Sequence, residues 1–133
     1  MGLSPFLVTG RKIDSLLVEA RSRLVRLSAE EAFAACRAGA LLVDTRSPDE
    51  QREQDAVIPG AVHHPLSVVL WRLDELPRET RVILICRHGY SSSLAAAQLQ
   101  DLGFRDATDV VDGVDGWLAA GLEVERPRPR TEP

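Results

Sequence analysis

Short apolar runs alternate with amphipathic stretches along this chain. Two runs, ALLVD ending at Asp44 and RVILIC ending at Cys86, are short and nearly unbroken, which predicts strands buried on both faces. Shorter strands are predicted at residues 24–27, within the segment IPGAVHHPL, and around residues 110–111. Each predicted strand is bounded by a segment with a different pattern.

Those intervening segments predict helices. Apolar positions at helical spacing begin at Ile13, and Ser28 with Glu31 forms a capping box ahead of a second helix that ends at Gly39. A polar helix is predicted after Ser47, a weak helical turn at residues 67–73, an alanine-rich helix before Gly103 and a closing helix stopped by Gly121.

The alternation of strands and helices predicts an α/β fold, a three-layer α/β/α sandwich around a mostly parallel central sheet. We expect a loosely ordered N-terminus at residues 1–12, one domain at 13–125 and a disordered, proline-rich tail at 126–133. In open parallel sheets the functional crevice lies at the carboxyl ends of the strands. Asp44 and Cys86 occupy two such ends.

Composition narrows the class of protein. With 133 residues, 44% hydrophobic and 27% charged, the chain is typical of one globular domain. A formal net charge of −4 argues against nucleic acid or an anionic membrane as a partner. There is no apolar run of membrane-spanning length, and the N-terminal apolar stretch is too short for a signal peptide. Two cysteines suggest free thiols, so we expect a cytoplasmic protein.

Cys86 is the candidate nucleophile, because it is placed between a buried strand and a helix N-terminus. A helix N-terminus and nearby cations stabilise a thiolate, and Arg87 and His88 follow directly. Gly89 allows the turn whose N–H groups form an anion-binding nest. The rest of the predicted loop is Tyr90 over the mouth, then Ser91 and Ser92 at the helix start. A buried, inert cysteine is the structural alternative.

The other candidate groups are weaker. Cys36 lies within an amphipathic helix with no cation-rich turn, which indicates packing rather than redox chemistry. His63 and His64 are adjacent, so a strand would direct them to opposite faces, and His88 is the remaining histidine. We therefore expect no metal site and no cofactor.

Four segments, in order, resemble the rhodanese family of thiosulfate sulfurtransferases over about residues 24–125. The loop Cys-x-x-Gly-x-x-Ser is similar to the family's active-site loop, and Asp44-x-Arg46 to the end of its first strand. The turn IPGA and the closing Gly-x-x-x-Trp, from Gly113 to Trp117, also match.

The resemblance implies sulfur transfer through a persulfide on Cys86. Its thiolate would take the outer sulfur of thiosulfate, or of a similar donor, and pass it to cyanide or a thiol. Arg87 and His88 would attract the anionic donor, and Asp44 with Arg46 would support the loop from outside, unless they form an ordinary ion pair. A protein is an alternative sulfur donor or acceptor.

Two departures from the family pattern bear on the donor. Ser91 stands where many members have arginine, and Ala56-Val57 where many have Gly-His. Three alternatives stay open: a persulfide sulfur carrier, a regulatory rhodanese-like binding module, and a cysteine-dependent phosphatase or arsenate reductase. The last class places an arginine six positions after its cysteine, and here that position is Ser92.

Overall fold

Helices and strands alternate in the computed structural model, which describes Gly10 and residues 12–129. The strands are β1 (Leu41–Asp44), β2 (Val62–His63), β3 (Val82–Ile85) and β4 (Thr108–Asp109). The helices are α1 (Ile13–Ser22), α2 (Ala29–Arg37), α3 (Pro48–Gln54), α4 (Val69–Leu73), α5 (Ser91–Asp101) and α6 (Gly113–Ala119). No helix in this described part is long and apolar enough to cross a bilayer.

The four strands form a parallel sheet in the order β2-β1-β3-β4. Asp44 lies opposite Ile85, and Leu84 lies opposite Asp109, so the strand ends share one edge of the sheet. Cys86 therefore emerges at this edge between the ends of β1 and β4. The arrangement is the α/β/α sandwich predicted from the sequence.

Two predicted strands differ in the structure. Residues 24–27 form no strand, and Leu27 alone makes an isolated bridge with Val110. Three apolar residues and Arg26 form no ladder there, because this segment meets the chain after β4 at a single pairing. The last strand lies at Thr108–Asp109, two residues earlier than predicted, since residues 111–112 already turn into α6.

The sheet is covered on both faces because its central strands are apolar at every position except the last of β1, Asp44. The side chains on one face of the sheet, including Ile83 and Ile85, pack against α2 and α6. The side chains on the other face, including Val82 and Leu84, pack against α4 and α5. Two apolar cores therefore hold the central strands rigidly, and the carboxyl edge is left for polar groups.

Local signals explain where α2 and α3 begin. Ser28 and Glu31 form the predicted capping box, and Ser47 with Glu50 forms a second one ahead of Pro48. Each serine hydroxyl accepts a backbone N–H that the first helical turn leaves without a partner. The second box fixes α3 next to the end of β1.

The division into domain and termini stays a prediction. The predicted loose segment 1–12 lies outside the described residues except for Gly10 and Lys12, and the predicted tail is described to residue 129. Within it, Arg126 Nε lies 3.7 Å from Asp55 Oδ2.

Candidate active site

Cys86 follows β3 at the carboxyl edge of the sheet, and its loop closes around the sulfur. The residue is only 5% exposed. Gly89 adopts φ +88° and donates its backbone N–H to Cys86 Sγ at 3.1 Å. That φ is one that residues with a Cβ rarely adopt, so glycine lets the N–H turn toward the sulfur. The contact would stabilise negative charge on Sγ.

The N-terminus of α6 is pressed against the other side of this loop. Val114 N–H donates to the Cys86 carbonyl at 2.8 Å. Gly113 has φ +55°, and a Cβ at this position would lie 2.2 Å from the same carbonyl oxygen. A Cβ on Gly89 would lie 2.8 Å from Asp112 N. The two glycines thus allow two backbone segments to touch, which positions the cysteine.

A buried carboxylate that the sequence analysis missed lies beneath the loop. Asp109 is fully buried at the end of β4, and its Oδ2 accepts from Ser92 Oγ at 2.7 Å and from Ser93 Oγ at 2.6 Å. A carboxylate only accepts hydrogen bonds, so the Ser92 hydroxyl donates to Asp109 and its oxygen accepts from the Cys86 thiol at 3.2 Å. The thiol is therefore the end of a chain of hydrogen bonds.

Two arginines from outside the loop complete this network. Arg26 Nε donates to Asp109 Oδ1 at 2.8 Å, and its Nη2 donates to the Gly89 carbonyl at 3.1 Å. Arg21, on α1, donates to the same carbonyl at 2.7 Å and lies with its guanidinium 5.7 Å from the centre of the Tyr90 ring. Tyr90 itself is 61% exposed. The first helix is thus part of the support of the loop.

The predicted cations of the loop are already paired with carboxylates. Arg87 Nη1 donates to Glu53 Oε2 at 2.6 Å, and His88 Nδ1 contacts Asp115 Oδ2. The hydrogen bond from Arg87 to Glu53 raises the pKa of the guanidinium above its usual value. Ser91 is the first residue of α5 and is partly exposed.

Asp44 and Arg46 form a buried ion pair whose other side-chain hydrogen bonds run to α3 and to Ala56, just after it. Arg46 Nη2 donates to Asp44 Oδ2 at 2.7 Å and to the Ala56 carbonyl at 2.8 Å, and its Nη1 donates to Gln54 Oε1 at 3.0 Å. Gln51 adds a further donor to Asp44. These contacts hold α3 beside the end of β1, and α3 in turn positions Glu53 next to Arg87.

Cys36 lies away from this edge of the sheet. It is partly buried on α2 and lines a cavity of about 270 Å³ with Phe33 and Trp117. Burial raises the pKa of the Cys36 thiol, with a smaller opposing effect of Arg81. The two thiols therefore have separate surroundings. Within the described residues, no group of three or more His, Cys, Asp or Glu side chains is placed to hold a metal ion.

Comparison with known proteins identifies relatives of this arrangement. The family model for the rhodanese-like domain matches residues 28–120. Thiosulfate sulfurtransferase GlpE of Pseudomonas savastanoi is 36% identical over 97 residues, which cover 71% of this chain and 87% of that protein. A putative sulfur carrier protein of Bacillus subtilis is 36% identical over 76 residues, which cover 57% of this chain and 40% of that protein.

A solved structure agrees in fold over a larger share of the chain. The structure of a protein of unknown function from Rhodopseudomonas palustris, described as a possible tyrosine phosphatase, superimposes with a TM-score of 0.75. It is 27% identical, and the match covers 93% of this chain and 100% of that one. The family match spans the sheet, the Cys86 loop and α6, and so the chain belongs to the rhodanese-like domain family, whose relatives include sulfurtransferases.

Proposed function

We propose that the protein is a thiosulfate sulfurtransferase that carries sulfur as a persulfide on Cys86. The observation that carries the proposal is the placement of Cys86 Sγ, at the end of β3, under the Gly89 N–H at 3.1 Å. A donor aimed at the sulfur stabilises the thiolate, which is the nucleophilic form. The GlpE relative supports thiosulfate as the donor.

In the first half-reaction the Cys86 thiolate attacks the outer sulfur of thiosulfate. The new S–S bond joins Sγ to that sulfur, and the S–S bond of thiosulfate breaks, so that sulfite leaves with the electron pair. The negative charge of the product is on the outer sulfur of the persulfide. Backbone N–H groups of the loop at residues 87–92 are the donors that would hold this charge, with Gly89 at the turn.

In the second half-reaction a thiophilic acceptor takes the sulfur. Cyanide attacks the outer persulfide sulfur, thiocyanate leaves, and the Cys86 thiolate is regenerated. A cellular thiolate would attack the same sulfur and leave as a persulfide, with the Cys86 thiolate again as the leaving group. No oxidant is required, because the sulfane sulfur moves without a net change in its oxidation level. The two half-reactions predict ping-pong kinetics.

Compartment and partners follow from the same chemistry. Cys36 and Cys86 are both free thiols, and we propose the reducing cytoplasm as the site of the reaction. The partners are a small sulfur donor and a thiol or cyanide acceptor, or a protein in either role. The formal net charge of −4 argues against nucleic acid as a partner.

The test is thiocyanate formation from thiosulfate and cyanide at varied concentrations of both. Parallel double-reciprocal lines and complete loss of turnover in Cys86→Ser are the expected results. Cys36→Ser is the matched control, because this thiol lies on α2, and it should retain turnover. Turnover that persists in Cys86→Ser would exclude Cys86 as the nucleophile.

A sulfur carrier is the second candidate, favoured by the Bacillus relative. A carrier would load sulfur from a cysteine desulfurase persulfide and release it to a protein rather than turn over thiosulfate. Loading by that donor, with no thiocyanate formed from thiosulfate, would favour the carrier. A regulatory binding module would show neither reaction.

A phosphatase is the third candidate, because of the description given to the Rhodopseudomonas structure. The position six residues after Cys86 is Ser92, and its hydroxyl is bonded to the buried Asp109 carboxylate. Cysteine phosphatases use an arginine there to bind phosphate oxygens, and a serine hydroxyl that already donates to Asp109 does not replace it. We expect no hydrolysis of a generic aryl phosphate, and measurable hydrolysis that depends on Cys86 would favour the phosphatase.

A further inference from the structure

The mouth of the Cys86 loop is more acidic than the sequence of the loop suggests. Arg87 is paired with Glu53, and the charges of Glu50 and Asp115 also act on its guanidinium. His88 is paired with Asp115. Arg87, the loop residue with a permanent positive charge, therefore has a carboxylate partner that competes with an incoming anion.

These two carboxylates are fixed by the scaffold rather than by the loop. Arg46, which is almost fully buried, donates to Gln54 Oε1 at 3.0 Å, and Gln54 Nε2 donates in turn to Asp115 Oδ1 at 2.9 Å. Glu53 precedes Gln54 on α3, and so the same anchor places it beside Arg87. The negative charge at the mouth of the loop is thus held in position by α3 and α6.

The mouth is also open enough for these charges to meet a donor. The side chains of Glu53 and Asp115 are 58% and 51% exposed, and that of Arg87 is 30% exposed. A small anion that reaches the loop from solvent meets these charges, because Glu53 and Asp115 contact the loop residues Arg87 and His88. Thiosulfate is a dianion, so it is repelled by each carboxylate and gains little from cations that are already paired.

We propose that Glu53 and Asp115 are specificity-determining residues that disfavour small dianionic sulfur donors and favour a hydropersulfide carried on a thiol. The inference rests on the proposed sulfur transfer through Cys86 and assigns its preferred donor class. In that reaction the Cys86 thiolate attacks the terminal sulfur of R–S–S–H, the S–S bond of the donor breaks, and R–S⁻ leaves with the electron pair. The proton stays on the terminal sulfur, so atoms and charge balance.

The test compares two probes, thiosulfate and cysteine persulfide, with cyanide as acceptor in both cases. The quantity is the ratio of kcat/KM for thiosulfate to kcat/KM for cysteine persulfide, in wild type, Glu53→Gln and Asp115→Asn. Removal of one charge within about a Debye length of a dianion predicts a ratio about three- to tenfold higher in each variant. The change should lie in the KM for thiosulfate rather than in kcat.

Glu79→Gln is the matched control. It removes the same charge from an exposed residue that precedes β3, at the opposite edge of the sheet. We expect its ratio to equal that of wild type. An unchanged or lower ratio in both site variants overturns the inference, as does an equal rise in Glu79→Gln, which would indicate a general charge effect.

Failure of the proposed function would be distinguishable in the same experiment. If wild type and both site variants transfer no sulfur from either probe, both the proposed function and the proposed donor preference are contradicted. If sulfur is transferred but the kcat/KM ratio does not change in Glu53→Gln or Asp115→Asn, only the proposed donor preference is contradicted. Added salt gives an independent arm, since screening should lower the thiosulfate KM more in wild type than in Glu53→Gln.

Discussion

The Ser92 hydroxyl donates to the buried Asp109 carboxylate at 2.7 Å, and through this contact the end of β4 orients the group that faces the candidate nucleophile. Two neighbouring strands thus meet in one hydrogen-bonded chain, because Cys86 follows β3 and Asp109 ends β4. The Arg26 guanidinium balances the carboxylate at 2.8 Å. Asp109 is a positioning residue in this account, since its contacts to Cys86 run through Ser92.

Asp109→Asn should destabilise the fold and weaken control of the thiol. The change leaves Arg26, whose side chain is only 17% exposed, without its ionic partner, so we expect a loss of about 2–4 kcal/mol in the free energy of unfolding. It also alters the hydrogen bond between the Cys86 thiol and Ser92 Oγ, so the rate of Cys86 alkylation at a fixed pH should change. Urea titration and alkylation with iodoacetamide measure the two effects.

Asp101→Asn is the control for that experiment. Asp101 pairs with Arg23 at 2.5 Å, but the two side chains are 67% and 40% exposed, and the expected loss is below about 1 kcal/mol. Equal stability losses in the two variants, or an unchanged rate of Cys86 alkylation in Asp109→Asn, would contradict the role given to Asp109.

Gly113→Ala should displace the Cys86 loop. An added Cβ would overlap the Cys86 carbonyl oxygen at 2.2 Å, and the left-handed φ of +55° adds backbone strain. Gly121→Ala has a similar φ of +70°, with nothing within 4 Å of the added Cβ. The control should therefore cost about 1 kcal/mol and retain sulfur transfer, whereas Gly113→Ala should cost more and lose most of its transfer. Transfer at the wild-type rate in Gly113→Ala would contradict the close approach.

Arg46→Ala should unfold or strongly destabilise the domain, by about 3–5 kcal/mol, because it leaves Asp44 buried without its partner. Arg52→Ala, on the neighbouring helix α3, removes an exposed pair with Asp49 and should cost less than about 1 kcal/mol. Thermal and urea unfolding provide the comparison. Similar stabilities of the two variants would show that the buried pair is an incidental contact.

Cys36 provides a prediction on pH dependence. Burial raises the pKa of this thiol, so less of it is thiolate at a given pH than in the unfolded chain. In Cys86→Ser, alkylation of Cys36 should therefore begin at a higher pH in the folded protein than in urea. The dependence of protein stability on pH has the same sign. The stability that this thiol contributes is fully present below its pKa in the unfolded chain, and it is lost as the pH rises through its pKa in the folded protein. A folded-state profile at lower pH than the unfolded one would reverse the sign.

The sequence analysis was most accurate where the local pattern determines the structure. The strands β1 and β3 have apolar side chains at each position except the last of β1, and Ser28 and Ser47 begin helices through short-range hydrogen bonds. The strand predicted at 24–27 was wrong, because a few apolar residues do not show whether a neighbouring strand continues beside them. Only Leu27 makes a bridge there.

The support of the loop was not predictable in the same way. Asp109 and Arg26 are far apart in the sequence, and their contact depends on the strand order that places β4 beside β3. Asp44 and Arg46 were predicted to support the loop; Arg46 bonds to α3 and to Ala56, and the role of the pair toward the loop stays a prediction. Arg87 and His88 were identified from the sequence, but not their carboxylate partners, since α3 and α6 provide these through tertiary contacts.

The most direct measurement of the central claim is the mass of the Cys86 peptide after incubation with a sulfur donor. Excess thiosulfate, and separately cysteine persulfide, should add one sulfur atom to this peptide, none to the Cys36 peptide, and cyanide should remove it as thiocyanate. The Cys86→Ser protein should gain no sulfur. If Cys86 remains an unmodified thiol with both donors in excess, persulfide transfer through this residue is contradicted.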